Sequence, residues 1–371
     1  MTENKKTKIL FLIETLAEGG AENVLINLLK YLDYNKYDVT VQTVVNVGIY
    51  REQLPEQVHY KTYYKKGYPH LFIPRNKLFN PRRLYKRIIG EKYDICIAYI
   101  EGITTRIISG NPFPNTKTYA WVHNEKLDPS IFRTLKEQKQ CYESFDKVAF
   151  VAKSAFDAFV NLYPDYKING SVVYNTLAID KIKQKATEAI DLVPNKNVIN
   201  MISVGRLMPQ KSYLRLIDVF YRLKCEGIVN WHFYLLGKGF EQKDIENKIE
   251  TYELEDFVTL LGFDSNPHKY VSKMDLFVCS SLHEGYSTAV TESIINGIPV
   301  ITTSCSGMDE IIGDTNAGHI VENSEEGLYQ GLKKILLNEL SLPQMKEAAD
   351  LRSEFFSTAR TVKQFLDFIS D

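Results

Sequence analysis

Cysteine is scarce in this chain, and long hydrophobic runs are absent. The five cysteines among 371 residues are scattered and form no Cys-x-x-Cys pair. Their distribution argues against a zinc site or a disulfide framework and favours a reducing cytoplasm. No apolar run approaches roughly eighteen residues, so no membrane-spanning segment is predicted, and the run at 9–13 is too short for the core of a signal peptide.

Positive charge is concentrated in the first half, although the net charge is only -1. Residues 60–92 contain ten Lys and Arg residues interleaved with Tyr and Phe, and one acidic residue, Glu91. Such a stretch suits an anionic membrane surface, because basic side chains attract anionic lipids and aromatic rings settle at the headgroup level. The alternative is a solvated loop and helix whose rings pack inward. Nucleic acid is disfavoured because no recognition motif accompanies the charge.

The length of 371 residues exceeds what one hydrophobic core usually supports, so two domains are expected. Buried-strand patterns alternate with helix patterns in two successive series. The predicted strands lie at 8–13, 39–45, 94–99, 117–122, 147–151, 171–174, 198–204, 231–236, 257–261, 275–279 and 299–303. This alternation predicts an α/β protein with two parallel sheets, each covered on both faces by helices. The polar, lysine-rich stretch 181–197 is predicted to link domains at 1–180 and 198–357.

Four short segments carry the predicted chemistry, and each follows a predicted strand, where ligands bind in open α/β sheets. In the first, Gly19 and Gly20 open a helix whose N-terminus favours an anion. The spacing is not Gly-x-Gly-x-x-Gly, which disfavours a dinucleotide-binding dehydrogenase. The alternative is that the two glycines serve only the geometry of the turn and bind no ligand. In the second, His123 follows the strand at 117–122 and is either a cleft residue or a structural histidine.

The other two segments lie in the second series. Arg206 and Lys211 follow its first strand, and a guanidinium with an ammonium suits a diphosphate. The alternative is that both are solvated surface side chains that bind no ligand. Glu284 and Glu292 bracket a strand-to-helix turn that contains Gly285. Two carboxylates in these positions are suited to binding a hydroxyl-rich molecule.

These motifs occur in an order that resembles the retaining glycosyltransferases of family 4. The resemblance rests on the Glu-x(7)-Glu segment, the Gly-Arg…Lys loop at 205–211, the Gly-Gly-Ala-Glu at 19–22 and the stretch 299–312. It spans nearly the whole chain and is strongest over 203–312. The family has the GT-B fold, with two Rossmann-like domains facing a central cleft that holds a nucleotide-sugar. A last helix, expected within 358–371, would cross back to the first domain.

The resemblance also implies roles for single residues. Arg206 and Lys211 would hold the donor's diphosphate in place of a metal ion, so no metal or cofactor is expected. Glu292 would bind ribose hydroxyls, Glu284 would bind the transferred sugar, and His123 would lie near the reacting sugar; His123, Glu284, Arg206 and Lys211 form the implied catalytic set. The other implied donor-site residues are Gly19, Gly20, Gly205, Gly262, Phe263, Gly285, Tyr286, Ser287 and Thr288. Ser287 and Thr288 depart from the residues common in the family.

The implied function is transfer of a hexose or N-acetylhexosamine from a nucleotide-sugar, with UDP favoured by its frequency in the family, to a glycan acceptor. The basic stretch 60–92 further predicts a lipid-linked acceptor and a peripheral enzyme at the cytoplasmic face of the membrane. Such an enzyme fits cell-surface polysaccharide or glycoconjugate biosynthesis. The alternatives are a nucleotide-sugar epimerase or phosphorylase with the same architecture, and a non-catalytic subunit that binds a glycan or a partner transferase.

Overall fold

The computed structural model describes residues 5–17, 19–68, 76–124, 127–284 and 286–370. The chain divides into two compact units: Met1–Leu177 with Thr361–Asp371, and Ala178–Arg360. Each unit contains one sheet, and every strand pair that the structure describes is parallel. The predicted α/β class with two parallel sheets is therefore confirmed.

The first unit has a seven-stranded sheet in the order β3-β2-β1-β4-β5-β6-β7. Its strands are β1 (Thr7–Ile13), β2 (Tyr37–Val45), β3 (His59–Tyr64), β4 (Ile95–Ala98), β5 (Lys117–Val122), β6 (Lys147–Phe150) and β7 (Gly170–Val172). Its helices include α1 (Gly20–Leu29), α2 (Pro81–Ile88), α3 (Ile103–Ile108), α4 (Leu135–Glu143) and α5 (Lys153–Leu162). Central strands such as β1 are almost wholly apolar because both faces of the sheet are covered.

The second unit has a six-stranded sheet in the order β10-β9-β8-β11-β12-β13. Its strands are β8 (Ile199–Val204), β9 (Trp231–Leu236), β10 (Val258–Gly262), β11 (Leu276–Cys279), β12 (Val300–Thr303) and β13 (Gly318–Val321). The remaining helices of the described chain are α6 (Ile179–Ala186), α7 (Tyr213–Cys225), α8 (Gln242–Thr251), α9 (His268–Val271), α10 (Thr288–Ile295), α11 (Met308–Ile312), α12 (Glu325–Leu336), α13 (Leu342–Ser353) and α14 (Thr358–Ser370).

The strand order places a switch point in each sheet. In the first unit β1 pairs with both β2 and β4, and in the second β8 pairs with both β9 and β11. Connections on the two sides of such a strand run in opposite directions, which leaves a crevice at the carboxyl ends. A ligand-binding site is therefore expected at the loops after β1, β4, β8 and β11.

Helix α14 is divided between the units, and its residues from Thr361 onward group with the first. Its aromatic side chains pack on the first sheet: the Phe365 ring stacks on Phe11 at 5.9 Å, and the Phe368 ring meets Trp121 edge-on at 5.1 Å. Burying aromatic area of this kind is among the larger contributions to core stability.

The stretch predicted as a linker, 181–197, begins as a helix instead. Helix α6 belongs to the second unit, and the division lies between Leu177 and Ala178. Asn266 Nδ2 and Ser272 Oγ donate to carbonyls at the end of α6, at 3.0 and 2.9 Å. These bonds fix α6 to the second unit. No described helix is both long enough and apolar enough to cross a bilayer.

Candidate functional site

A direct contact joins two of the predicted site residues at the carboxyl edge of the second sheet. Lys211 lies in a turn after β8, Glu284 lies in the loop after β11, and Lys211 Nζ is 2.6 Å from Glu284 Oε1. Ser281 Oγ donates to the same oxygen at 2.6 Å. Only 19% of the Lys211 side chain and 10% of the Glu284 side chain are exposed. Among the described residues no group donates to Glu284 Oε2, so this oxygen is available to a ligand hydroxyl.

The two loops are also joined by hydrogen bonds that do not involve this ion pair. The Leu282 amide donates to the Gln210 carbonyl at 2.8 Å, and Gln210 Nε2 donates to the His283 carbonyl at 2.9 Å. Ser280 Oγ donates to the Lys211 carbonyl at 2.7 Å. The backbone thus holds the ammonium and the carboxylate in place before any ligand arrives.

Helix α10 begins directly after this loop. Ser287 is its N-cap and is buried, and its side chain accepts a hydrogen bond from the Val290 amide. Capping accounts for a serine at a position where the family resemblance suggested another residue. Thr288 is the first helical residue, and the amides of the first turn have no acceptor within the helix, so this end suits an anion. Tyr286 is half-buried, and Gly285 lies outside the described residues.

Glu292 lies on α10, one turn beyond its start. Burial raises the pKa of its carboxyl to about 7, against a smaller opposing effect of the Lys185 ammonium on α6. The carboxyl therefore changes charge near neutral pH, which the sequence alone did not indicate.

Three glycines bring the loops after β8, β9 and β10 close together. Gly205 donates to the Leu236 carbonyl at 3.0 Å, and Gly237 donates to the Gly262 carbonyl at 2.7 Å. A Cβ atom on Gly237, whose φ is +156°, would lie 1.8 Å from the Gly205 oxygen. Only glycine fits there. Gly205 and Gly262 were predicted for the site, and Gly237 was not.

Phe263 follows Gly262 and is 61% exposed. The Lys238 ammonium lies 4.4 Å from the centre of its ring, within the range of a cation–π contact. Lys238 was not predicted, because a lysine between two glycines has no distinctive pattern. Arg206, by contrast, is exposed and forms no ion pair with a described residue. Its predicted contact with a ligand stays a prediction.

The switch point of the first unit carries two carboxylates in addition to the predicted glycines. Gly19 is the N-cap of α1 and Gly20 its first residue. Thr15 Oγ1 donates to Glu22 at 3.4 Å, and the Tyr68 hydroxyl donates to Glu14 at 3.0 Å. Burial raises the pKa of both carboxyls.

His123 lies just after β5 and is 9% exposed. Its amide donates to Glu101 Oε2 at 2.9 Å, and its Nε2 is 2.9 Å from the Tyr99 carbonyl oxygen. A carbonyl only accepts, so Nε2 carries the proton. Burial lowers the pKa of the imidazole, with the Glu101 carboxylate opposing, so the ring is neutral and its Nδ1 is a hydrogen-bond acceptor. Glu101 also accepts from the Asn124 side chain, and this carboxylate was not predicted.

Comparison with known proteins agrees with this arrangement. Residues 184–352 match the family model of glycosyl transferases group 1. A relative from Campylobacter jejuni is N-acetylgalactosamine-N,N'-diacetylbacillosaminyl-diphospho-undecaprenol 4-alpha-N-acetylgalactosaminyltransferase. It is 27% identical, over 98% of this chain and 99% of its own length.

The chain is similar to the glycosyl transferases of group 1 over most of its second unit. This glycosyltransferase has the GT-B fold. A glycosyltransferase from Rickettsia africae superposes with a TM-score of 0.77 and 18% identity over 98% of this chain and 97% of its own. HepE from Anabaena in complex with UDP superposes with a TM-score of 0.73 and 17% identity, over 98% and 100% of the two chains.

The membrane contact expected of the basic stretch 60–92 stays a prediction, and the structure describes how some of its rings pack. It begins with strand β3, and Tyr85 is buried with its hydroxyl donating to the Glu91 carbonyl at 3.1 Å. Tyr63 is half-buried and accepts from Arg87 Nε at 2.6 Å. These rings pack inward, as in the alternative interpretation. Residues 69–75 of the stretch lie outside the described residues.

The raised pKa of Glu292 predicts how the stability of the transferase depends on pH. The native carboxyl holds a proton up to about pH 7, whereas in the unfolded chain it ionises near its ordinary value of about 4.3. The native state binds more protons in this window, so the free energy of unfolding falls as pH rises through it. Glu292→Gln cannot ionise and should lose this fall, becoming more stable than the parent at about pH 8 but not at about pH 5.

Chemical denaturation of both proteins at the two pH values measures the effect, with Glu250→Gln at an exposed position of α8 as the matched control. An equal pH dependence of the parent and Glu292→Gln would contradict the assignment.

Proposed function

We propose that the transferase moves a hexose or N-acetylhexosamine from a nucleoside-diphosphate sugar, with UDP favoured, to a hydroxyl of a lipid-linked glycan, with retention at the anomeric carbon. The observation that carries the proposal is the contact of Lys211 with Glu284 beside the N-terminus of α10. The product would serve cell-surface polysaccharide or glycoconjugate assembly. The expectation that this occurs at the cytoplasmic face stays a prediction.

The donor's diphosphate would bind Lys211 and the first turn of α10. An ammonium has three donors, of which one is directed at Glu284, so two are left for phosphate oxygens. Arg206, exposed on the same loop, would add a bidentate contact. Positive charge from these groups would take the place of a metal ion.

The rest of the donor would bind the groups around this centre. Glu284 Oε2 would accept a hydrogen bond from a hydroxyl of the transferred sugar. Glu292 would accept from the ribose, and the exposed Phe263 ring beside Lys238 would support the base. UDP is favoured because HepE, of the same fold, was solved with UDP.

The acceptor is inferred from the Campylobacter jejuni relative, which matches along 98% of this chain. Its name describes a saccharide on diphospho-undecaprenol as the acceptor. A lipid-linked glycan of this kind is therefore the acceptor class that we propose for the transferase.

Cleavage of the glycosyl–phosphate bond places negative charge on the leaving diphosphate and positive charge on the sugar ring. Fixed cations and helix amides aimed at the diphosphate stabilise this separation without reorganising. The loop hydrogen bonds that hold Lys211 and Glu284 supply this preorganisation.

Loss of either member of the ion pair should remove most of the turnover. We expect Lys211→Ala and Glu284→Ala each to lower kcat by roughly a hundredfold to a thousandfold, because one preorganised transition-state contact is lost. Sugar transfer is measured with saturating donor, and circular dichroism checks that each variant is folded. Lys243→Ala, at an exposed position of α8, is the matched control. Transfer by either site variant at close to the parental rate would refute its assigned role.

The tautomer of His123 predicts opposite effects of two substitutions. In His123→Gln the amide nitrogen can still donate to the Tyr99 carbonyl, but the Nδ1 acceptor is lost. His123→Asn keeps an acceptor at the δ position and leaves that carbonyl unpaired. If Nδ1 accepts from a hydroxyl of the reacting sugar, His123→Gln should keep its melting temperature and lose turnover, whereas His123→Asn should lose melting temperature and keep more turnover. The reverse order of turnover would exclude this role.

The function itself is tested by binding and transfer with the whole chain. A thermal-shift screen of UDP-, GDP- and ADP-sugars should show the largest rise with a UDP-sugar, since a ligand that binds the native state stabilises it. Release of free nucleotide should then require a polyprenyl-diphosphate glycan and should continue in the presence of EDTA. Nucleotide release at the same rate without an acceptor, or no stabilisation by any nucleotide-sugar, would count against the proposed function.

A further inference from the structure

The turn at 76–79, whose first two residues are helical, lies just before α2 and is held by two arginine side chains. All four of its successive carbonyls accept hydrogen bonds from guanidinium groups. Arg106 donates to the first and the last of the four at 2.8 Å each. Arg133 donates to the second at 2.9 Å and to the third at 3.3 Å. A surface turn rarely has every carbonyl bound by charged donors.

The brace behind this turn is buried. Arg106 is 0% exposed, and its Nη2 lies 2.9 Å from Glu137 Oε1. The other oxygen of Glu137 accepts from the Arg133 amide at 2.6 Å. Burying a guanidinium is unfavourable unless it is paired and hydrogen-bonded. The ion pair and the carbonyl contacts satisfy the two terminal nitrogens, while Nε has no partner among the described residues. These contacts fix the turn to α3 and α4.

This fixed turn presents an apolar side chain to solvent. Leu78, the third residue of the turn, is 76% exposed. Leu135, two residues after the bracing Arg133, is 59% exposed. Side chains so exposed add little to the core of the unit. Because the backbone is rigid, less entropy is lost when these two leucines contact a partner.

The surroundings of the two leucines are strongly basic. Segments 76–88 and 128–139 contain eight Lys and Arg residues and two acidic residues, and one of the acidic residues is Glu137, the half-buried partner of Arg106. The side chains of Arg82, Arg83, Lys86 and Lys136 are exposed and form no ion pair with a described residue.

We propose that the arginine-braced surface, residues 76–88 and 133–136, docks the transferase on an anionic membrane. Leu78 and Leu135 enter the boundary between headgroups and acyl chains, and the cations contact lipid phosphates. Charge complementarity selects this partner, and an apolar insertion combined with a basic patch is the pairing that gives stable interfacial binding. The inference rests on the proposed function, because a lipid-linked acceptor requires the enzyme to work at a membrane.

The test measures co-sedimentation of the full chain with vesicles at low ionic strength. Vesicles of phosphatidylcholine with a minor fraction of phosphatidylglycerol should bind it, and pure phosphatidylcholine should bind it much less. Each basic residue near an anionic surface strengthens binding about fivefold, so Arg82→Glu with Arg83→Glu should weaken it by more than about 25-fold. Leu78→Ser with Leu135→Ser should weaken binding on the order of tenfold.

The matched controls lie on the second unit: Leu351→Ser, at a residue 70% exposed, and Lys243→Glu with Lys334→Glu, both exposed. These should leave vesicle binding unchanged. Arg133→Lys keeps the charge but loses the planar fork. Because it loosens the turn, it should weaken binding although Leu78 is still present.

Transfer to a water-soluble acceptor separates this inference from the proposed function. The surface variants should keep parental turnover on a soluble glycan and lose it on a vesicle-borne acceptor. Failure of the parent to bind anionic vesicles overturns the docking surface, even if soluble transfer proceeds. Vesicle binding without transfer to any acceptor overturns the function and leaves the surface standing. Parental vesicle binding by the leucine variant, or dimers of the parent that this variant abolishes, excludes membrane insertion.

Discussion

Parallel pairing between strands constrains where polar chemistry can lie in this molecule. Parallel strands need crossover connections, so the loops that leave their carboxyl ends gather at one edge of each sheet. In the second unit the connection after β8 leads to β9 on one side of the sheet, and the connection after β11 leads to β12 on the other. The loops after β8 and β11 therefore begin side by side at the switch point, where hydrogen bonds join them. Lys211 and Glu284 occupy these two loops.

Under the proposed function, the ion pair between these residues would let the site select its ligand. Without a ligand, each charge compensates the desolvation of the other across 2.6 Å. A simple anion that bound Lys211 would meet the negative charge of Glu284. In the proposed complex a nucleotide-sugar would offset this repulsion, because a sugar hydroxyl would donate to the carboxylate while the phosphates face the ammonium. The site would then discriminate between ligands by repulsion as well as by attraction.

Sequence patterns predicted the buried strands, which the structure confirms, and several residues of the candidate site, because both predictions rest on local properties; the roles of those residues stay predictions. Missed strands include β3 at one sheet edge, where polar and aromatic residues alternate with partial exposure, and β13 at another, which has four residues. The missed site residues depend on distant contacts. Glu101 reaches His123 across 22 positions, since the adjacent strands β4 and β5 end side by side. The hydrophobic periodicity of the sequence gives no indication of such a contact.

Arg106 and Lys211 of the transferase show how a structural cation differs from one that can bind a ligand. Arg106 is wholly enclosed, and its terminal nitrogens are used by carbonyls and by Glu137. No ligand can reach it. Lys211 is also paired with a carboxylate, but its side chain is 19% exposed and two of its three donors are left over. Unused donors on a partly exposed cation, rather than charge alone, therefore distinguish the candidate ligand group Lys211 from the brace Arg106. By the same reasoning, the exposed cations beside Leu78 that form no ion pair with a described residue are the ones assigned to the proposed docking surface.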